Sequence, residues 1–272
     1  MFHFLAPYAI NAEDSKIFLE HLDSSIKARS HPNVICFVGV CGQGDDLYVA
    51  MQLENGQNLR NLLRESRSLD NFSQYAKSRG KISLMSAQRL LSIALGVCRG
   101  MGYLEDNKVL HDNLACINII IGDNGTPKIG GFGMATLCSL YKRQMDRDHE
   151  KIRWMPPETL ANHVFALKSQ VWSFGIVVWE IVTLGGLPYN YLDHRSIMIQ
   201  IPGGLRLSKP SSCGHKLYEF LFNKIWNPDA DARPNFAEIL QYFHDFNLNP
   251  ETHIDLTLVE GFTYEPTKYV PR

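Results

Sequence analysis

The longest apolar run, residues 174–184, constrains the fold of this chain more than any other feature. Residues 171–182 would form a helix that is hydrophobic on all sides, with Glu180 as its single charge. Such a helix must be surrounded by other elements. The run is also shorter than the ~18 residues that a membrane-spanning helix needs. We therefore predict a buried helix at the centre of a helical lobe.

Composition is that of an ordinary soluble globular protein, with 272 residues, 45% hydrophobic and 20% charged. This length allows one large domain or two lobes around a cleft. The net charge of -1 gives no reason to expect nucleic-acid binding or membrane insertion. Six cysteines without a CxxC pair, and no signal-peptide pattern after Met1, predict reduced thiols and a cytoplasmic location.

Local patterns predict several elements. Residues 15–29 follow an acidic helix start, while residues 34–40 and 47–53 are short β-prone runs around a glycine-rich turn, which predicts a hairpin. Ser86 is a candidate N-cap for a long helix with apolar residues at helical spacing. The polar segment 66–83 between them predicts a surface loop.

Residues 108–135 read KVLHDNLACINIIIGDNGTPKIGGFGMA. This segment resembles the catalytic loop HRDLAARN and the metal-binding motif DFG of protein tyrosine kinases. The family's catalytic aspartate falls on Asn113, and its metal-binding aspartate falls on Gly131. The positions that keep the family residue, including the structural histidine, are His111, Asn118, Phe132 and Gly133.

These two replacements remove the chemistry that the resemblance would otherwise imply. Phosphoryl transfer needs metal ions on the phosphates and a residue that deprotonates the nucleophile. The amide of Asn113 accepts no proton at neutral pH. Gly131 offers magnesium no carboxylate, which leaves Asn118 as a neutral and isolated metal ligand.

The segments HPNVICFVGVC and LYVAMQLENGQNLRNLL resemble the kinase region that leads into the nucleotide-binding hinge. On this resemblance Met51 is the gatekeeper. Gln52, Leu53 and Glu54 form the hinge that faces an adenine ring, and Ile120 also lies in the nucleotide pocket.

The residues that would bind phosphate are replaced as well. The family's phosphate-binding lysine falls on Phe4, and its helix glutamate falls on His21, or on Glu20 if the alignment shifts by one residue. No GxGxxG motif precedes the cleft. The resemblance thus implies a truncated small lobe, and we predict no cofactor, although ATP and Mg²⁺ are those of the family.

Structural motifs of the large lobe are present. RWMPPE resembles KWxAPE, and RPNF resembles the RPxF motif, so we expect Glu158 and Arg233 to form a buried ion pair. LKSQVWSFG resembles SDVWSFG with Gln170 in place of the aspartate that holds the catalytic-loop backbone. Gln170 can keep a hydrogen bond there, but an uncharged one.

The resemblance implies an α+β, protein kinase-like two-lobe fold, with a small partial β-lobe and a large, mainly α-helical lobe. We predict a truncated N-lobe over residues 1–54, a C-lobe over 55–248 with the polar insert at 66–83, and a C-terminal tail over 249–272. NLRNLLRESRSLD, WEIVTLGGLPY and the tail TLVEGFTYEP are similar to the Tie group of angiopoietin receptors, with FGF and VEGF receptors close behind.

The predicted function is that of a pseudokinase, a kinase fold that acts as a scaffold or allosteric partner of other signalling proteins or kinases. The alternatives are a weakly active tyrosine kinase and a non-functional gene fragment. Asp112 and Asp123 are the acids close to the degraded motif, but Asp112 occupies the family's arginine position. Tyr141 is a candidate phosphorylation switch, although a lone exposed tyrosine is more often an ordinary surface residue. Tyr264 and Tyr269 are candidate phosphotyrosine docking sites, and a frayed C-terminus explains them at least as well.

Overall fold

The structure is a computed structural model that describes residues 30–43, 46–52, 54–68, 80–131 and 151–257. The predicted helix over residues 15–29, Phe4, His21, Tyr141, Tyr264 and Tyr269 lie outside the described residues.

Five short strands are present in the described part of the chain, in two antiparallel sheets. They are β1 (Phe37–Gln43), β2 (Asp46–Met51), β3 (Gly56–Asn58), β4 (Ile119–Gly122) and β5 (Pro127–Ile129). The first two form the predicted hairpin, with Val40 opposite Val49. The other three form a sheet in the order β3-β4-β5, with Ile120 opposite Lys128.

The segment before the hairpin runs along the free edge of β5. Ile35 donates its backbone N–H to the carbonyl of Ile129 at 2.9 Å, and Ile129 donates to Asn33 at the same distance. Val34 between them is fully buried. Because of these bonds, the hairpin is anchored to the strand that leads into Gly131.

The described part of the chain also contains seven α-helices. They are α1 (Leu59–Glu65), α2 (Ala87–Asp106), α3 (Pro157–Asn162), α4 (Leu167–Val182), α5 (His194–Gln200), α6 (His215–Phe220) and α7 (Phe236–Leu248). Single turns of 3₁₀-helix occur at Cys116–Asn118, Lys151–Trp154 and Pro250–Thr252, and a π-helical turn at Leu221–Ile225.

The predicted central helix is α4. Every residue from Ser169 to Val182 is buried, so the helix is enclosed on all sides, as its apolar run requires. The Phe174 ring meets Phe236 and Phe243 of α7 edge to face, each with ring centroids 5.6 Å apart. This packing confirms the prediction of a large helical lobe around a hydrophobic core.

The N-cap predicted for the long helix is also present. The Ser86 hydroxyl accepts a hydrogen bond from the Arg89 N–H at 3.1 Å, at the start of α2. Such a bond satisfies one of the backbone donors that a helix start leaves unpaired.

Both ends of the polar segment 66–83 are buried, while residues 69–79 of this predicted surface loop lie outside the described residues. Ser66 and Ser83 share a hydrogen bond at 2.9 Å, and Ser68 is fully buried. Ile82 donates its N–H to the carbonyl of Leu256 at 2.9 Å. Hydroxyl groups can be buried here because each of them finds a partner.

Packing of the helical lobe also continues past the predicted boundary at Leu248. Ile254 and Leu256 are each 1% exposed, and Gly214 donates its N–H to the carbonyl of His253 at 2.7 Å. The residues up to Thr257 therefore cover the lobe. No helix among the described residues has the length and apolar character to cross a bilayer.

Candidate functional site

The loop that carries His111 and Asn113 is held against the buried helix α4. The side-chain oxygen of Gln170 accepts a hydrogen bond from the backbone N–H of His111 at 2.6 Å. Gln170 and His111 are both fully buried. The uncharged hydrogen bond that the sequence predicts for Gln170 is therefore present.

The ring of His111 connects the two segments of the site. Its Nδ1 accepts from the Asn113 N–H at 3.4 Å, so Nε2 carries the proton and donates to the carbonyl of Gly130 at 3.1 Å. Burial lowers the pKa of this imidazole to about 4, which keeps it neutral at physiological pH. These contacts give His111 a structural part in the site.

Asn118 and Gly131 face each other across the site. The Asn118 amide donates to the carbonyl of Asn113 at 2.7 Å. A Cβ atom at Gly131 would lie 3.6 Å from Oδ1 of Asn118, and Gly131 has φ +79°. The site therefore has room for a side chain at Gly131, but its left-handed backbone favours glycine.

This donor set does not suit a magnesium ion. Magnesium prefers carboxylate ligands and substrate phosphates in octahedral geometry, whereas Asn118 supplies one neutral oxygen and Gly131 supplies none. In the described ranges, no group of three or more histidine, cysteine or acidic residues is placed to hold a metal. Asn113 offers no general base either, because its amide side chain accepts no proton at neutral pH.

The predicted hinge residues Gln52 and Glu54 lie between the hairpin and β3. Met51 ends β2 and is partly buried, and Gln52 donates its N–H to the carbonyl of Cys36 at 2.8 Å. Ile120 is a partly exposed residue of β4. Leu53, Phe132 and Gly133 lie outside the described residues, as do Phe4 and His21.

One hinge contact is not evident from the sequence motifs. The carboxylate of Glu54 forms an ion pair with the ammonium group of Lys128 on β5, and the two side chains are only 14% and 16% exposed. This contact joins the hinge to the strand beneath it. The carboxylate of Glu54 is therefore already paired within the chain.

Glu180 is the functional residue that sequence reasoning missed. Its Oε2 accepts hydrogen bonds from the Cys116 N–H at 3.0 Å and from the indole N–H of Trp154 at 2.9 Å. Cys116 belongs to the loop of His111, and Trp154 to the RWMPPE motif. The available signal was a single charge in the hydrophobic run of residues 171–182, because a buried carboxylate needs hydrogen-bonding partners.

Burial also changes the acidity of Glu180. It raises the pKa of this carboxyl group from 4.5 to about 7, although the bonds from Cys116 and Trp154 act in the opposite direction. Within the described residues, Oε1 of Glu180 has no hydrogen-bond partner. Glu180 therefore positions both Trp154 and the end of the loop of residues 111–118, called the catalytic-type loop below.

The predicted ion pair between Glu158 and Arg233 is confirmed. Arg233 donates from Nη1 and Nη2 to the two carboxylate oxygens of Glu158 at 2.7 and 2.8 Å. Burial alone would raise the pKa of Glu158, but the hydrogen bonds from Arg233, Ser169 and the backbone, together with the charge of Arg233, outweigh it, and the pKa lies below its usual value. The Arg233 side chain is fully buried, and that of Glu158 is 20% exposed.

A hairpin above a helical lobe, and a loop fixed from a central buried helix, define the class of protein kinase-like proteins. The family model described as protein tyrosine and serine/threonine kinase matches residues 7–243. The chain therefore belongs to this kinase family, and its curated relatives are receptor tyrosine kinases.

Three relatives illustrate this similarity. The angiopoietin-1 receptor of Danio rerio is 34% identical, over 93% of this chain and 22% of the receptor. The tyrosine kinase receptor Cad96Ca of Drosophila melanogaster is 36% identical, over 84% of this chain and 29% of its own length. Fibroblast growth factor receptor 1 of Dugesia japonica is 32% identical, over 84% of this chain and 26% of the receptor. The chain spans less than a third of each relative.

Proposed function

We propose that this chain is a pseudokinase, a tyrosine-kinase-like region that has lost phosphotransfer and serves as a scaffold or allosteric partner. The observation that carries the proposal is the pair of Asn118 and Gly131. One neutral oxygen faces a residue without a side chain, at the place where the family binds metal. Without the metal, the phosphates of a nucleotide lack their main source of charge neutralisation.

The state of Asn113 supports the same proposal. Its backbone carbonyl is held by Asn118 at 2.7 Å, so the loop keeps its order while the side chain lacks basicity. Removing a single electrostatic element of an active site typically costs ~10²–10³-fold in rate. With both the metal-binding carboxylate and the general base lost, the fold does not support phosphoryl transfer.

A site that keeps its geometry but lacks the groups for phosphoryl transfer favours a binding role. Gln170, Glu180 and the Glu158–Arg233 pair maintain the loop and the helical lobe through contacts within the chain itself. Since the relatives are receptors, we propose other signalling proteins or kinases as the partners. The alternative, a weakly active kinase, would need a substitute carboxylate in the site.

The first test is thermal unfolding with ATP, in the presence and absence of Mg²⁺ or Mn²⁺. A ligand that binds only the folded protein adds RT ln(1 + [L]/Kd) to its stability, ~2.7 kcal/mol at a hundredfold excess over Kd. We expect a cooperative transition whose midpoint does not depend on metal and ATP together. A metal-dependent rise would overturn the proposal, and a non-cooperative transition would favour the gene-fragment alternative.

A variant at the site makes the test specific. Gly131→Asp restores a carboxylate opposite Asn118, and we expect Mn²⁺ alone to raise the midpoint of this variant. Gly204→Asp is the matched control, since Gly204 also has a positive φ, of +105°, and open space around it. An equal response of both variants to Mn²⁺ would mean that Asn118 and Gly131 do not form the former metal site.

A further inference from the structure

A groove of about 830 Å³ lies beside the start of α7, and the kinase motifs assign it no function. Tyr242 and Asp245 of α7 line it. Lys224 of the π-helical turn also lines it, as does Asp231 of the loop between that turn and α7. No residue of the catalytic-type loop or the hinge lines it.

The floor of the groove is rigid. Arg233 is fully buried, and its guanidinium donates to Glu158, to the carbonyl of Asn227 at 2.9 Å and to that of Lys168 at 3.1 Å. Lys168 donates in return to the carbonyl of Arg233 at 2.6 Å. A surface that is ordered before binding loses little conformational freedom when a ligand binds.

Three charged groups of the groove are left unused by the fold. Within the described ranges, no hydrogen bond or ion pair involves the side-chain charges of Asp231, Asp245 or Lys224. By contrast, Glu238 caps α7 by accepting from the Asn235 N–H at 2.8 Å. The unused charges are thus two carboxylates and one ammonium group.

Tyr242 adds an aromatic surface to the same groove. It is 42% exposed, and its ring lies 4.3 Å from that of Phe220, which packs against Phe243 and Phe246. The Tyr242 ring therefore packs against Phe220 and is otherwise partly exposed to solvent. An exposed tyrosine face binds arginine or lysine by cation–π attraction, or an apolar side chain by burial.

The turn that contains Lys224 has an uncommon backbone conformation. Trp226 donates its N–H to the carbonyl of Leu221 at 2.8 Å, a bond across five residues that marks the π-helical turn. Such turns are rare and occur frequently at functional sites. Lys224 lies in this turn, exposed to solvent.

We propose that this groove binds an extended segment of a partner protein that carries a basic residue next to an acidic one. The basic side chain contacts Asp231 or Asp245 and the face of Tyr242, and the acidic side chain contacts Lys224. This arrangement pairs each unused charge of the groove with one of opposite sign. The site acts independently of the nucleotide cleft, so it goes beyond the pseudokinase proposal.

The test selects random dodecapeptides displayed on phage for binding to the whole chain, and then measures the affinity of the best synthetic peptide by isothermal titration calorimetry. We expect the selected peptides to share a basic and an acidic residue. Asp245→Lys should weaken binding at least about tenfold, and the peptide with its basic residue changed to glutamate should recover affinity for that variant.

Glu251→Lys is the matched control, because Glu251 is an exposed acid outside the groove and its substitution changes the net charge equally. Its affinity should equal that of the unmodified chain. Equal loss in Asp245→Lys and Glu251→Lys, selected peptides without a basic residue, or no selected peptide would each overturn the proposal. Self-association that Asp245→Lys abolishes in analytical ultracentrifugation would also overturn it, by assigning the groove to a second copy.

Discussion

At the scale of single residues, buried polar side chains determine the geometry of the site. Gln170 and Glu180 come from the same helix, and each accepts a hydrogen bond from a backbone N–H of the catalytic-type loop. Both residues are fully buried, so leaving either N–H unpaired would cost ~1–3 kcal/mol. These two bonds hold the loop against α4.

The acidity of Glu180 leads to a prediction about stability and pH. Its pKa is about 7 when folded and 4.5 when exposed, so the folded chain binds the proton more tightly. The resulting stabilisation is complete at low pH and is lost as the pH rises through about 7. Relative to Glu180→Gln, the free energy of unfolding should fall by on the order of 1–3 kcal/mol between ~pH 5 and ~pH 8.

Urea denaturation of the two proteins at several pH values measures this difference. His111, whose pKa is lowered when folded, reduces stability as the pH falls. This effect is common to both proteins and cancels in the comparison. A difference that stays constant with pH would show that Glu180 does not titrate in this range.

At the scale of elements, the Glu158–Arg233 pair joins the start of α3 to the loop before α7. Arg233 also donates to two backbone carbonyls, those of Asn227 and Lys168. The pair thus connects three separate segments through one guanidinium. An arginine suits this place because its planar group offers several donors in fixed directions.

Breaking this pair from either side should be costly. Glu158→Gln leaves a buried cation without its counter-charge, and Arg233→Met leaves a partly buried carboxylate. We expect each substitution to lower the free energy of unfolding by ~3–5 kcal/mol. The double variant should cost less than the sum of the two, because the first substitution already removes the shared interaction.

Chemical denaturation of the four proteins gives this coupling energy. The exposed pair of His215 and Glu219 is the control, with a separation of 3.8 Å and side chains 77% and 56% exposed. Glu219→Gln should change stability by less than about 0.5 kcal/mol. Strict additivity of Glu158→Gln and Arg233→Met would refute the interpretation of a coupled pair.

At the scale of the whole molecule, the helical lobe includes the segment after α7. Leu256 accepts a backbone hydrogen bond from Ile82, and Thr257 forms a β-bridge with Lys81. Two segments that the sequence assigns to a loop and a tail therefore close the lobe together. Their apolar side chains belong to the same core as α2 and α4.

Two leucines near the predicted boundary test this conclusion. Leu256 is 1% exposed and Leu248 is 76% exposed. We expect Leu256→Ala to lower the free energy of unfolding by ~2–5 kcal/mol, and Leu248→Ala to change it by less than about 0.5 kcal/mol. Thermal and urea unfolding of both variants measure the two effects. Similar small effects would place the end of the lobe at Leu248.

Sequence patterns predicted those features that depend on local spacing or on a motif. The hairpin follows from two β-prone runs around a turn, and the Ser86 N-cap from a hydroxyl before an apolar period. The Glu158–Arg233 pair and the Gln170 bond follow from motif positions. The roles of Phe4, His21 and Leu53 stay predictions, since these residues lie outside the described ranges.

By itself, the sequence determined that this chain folds as a kinase-like α+β protein, and it predicts that Asn113 and Gly131 stand at two carboxylate positions of the family. Side-chain identity and helical or strand period are local properties, and they are visible in the chain. Tertiary structure alone decided that Glu180 bonds Cys116 and Trp154, that Glu54 pairs with Lys128, and that a charged groove forms beside α7. These partners are distant in sequence, so only the folded packing brings their charges together.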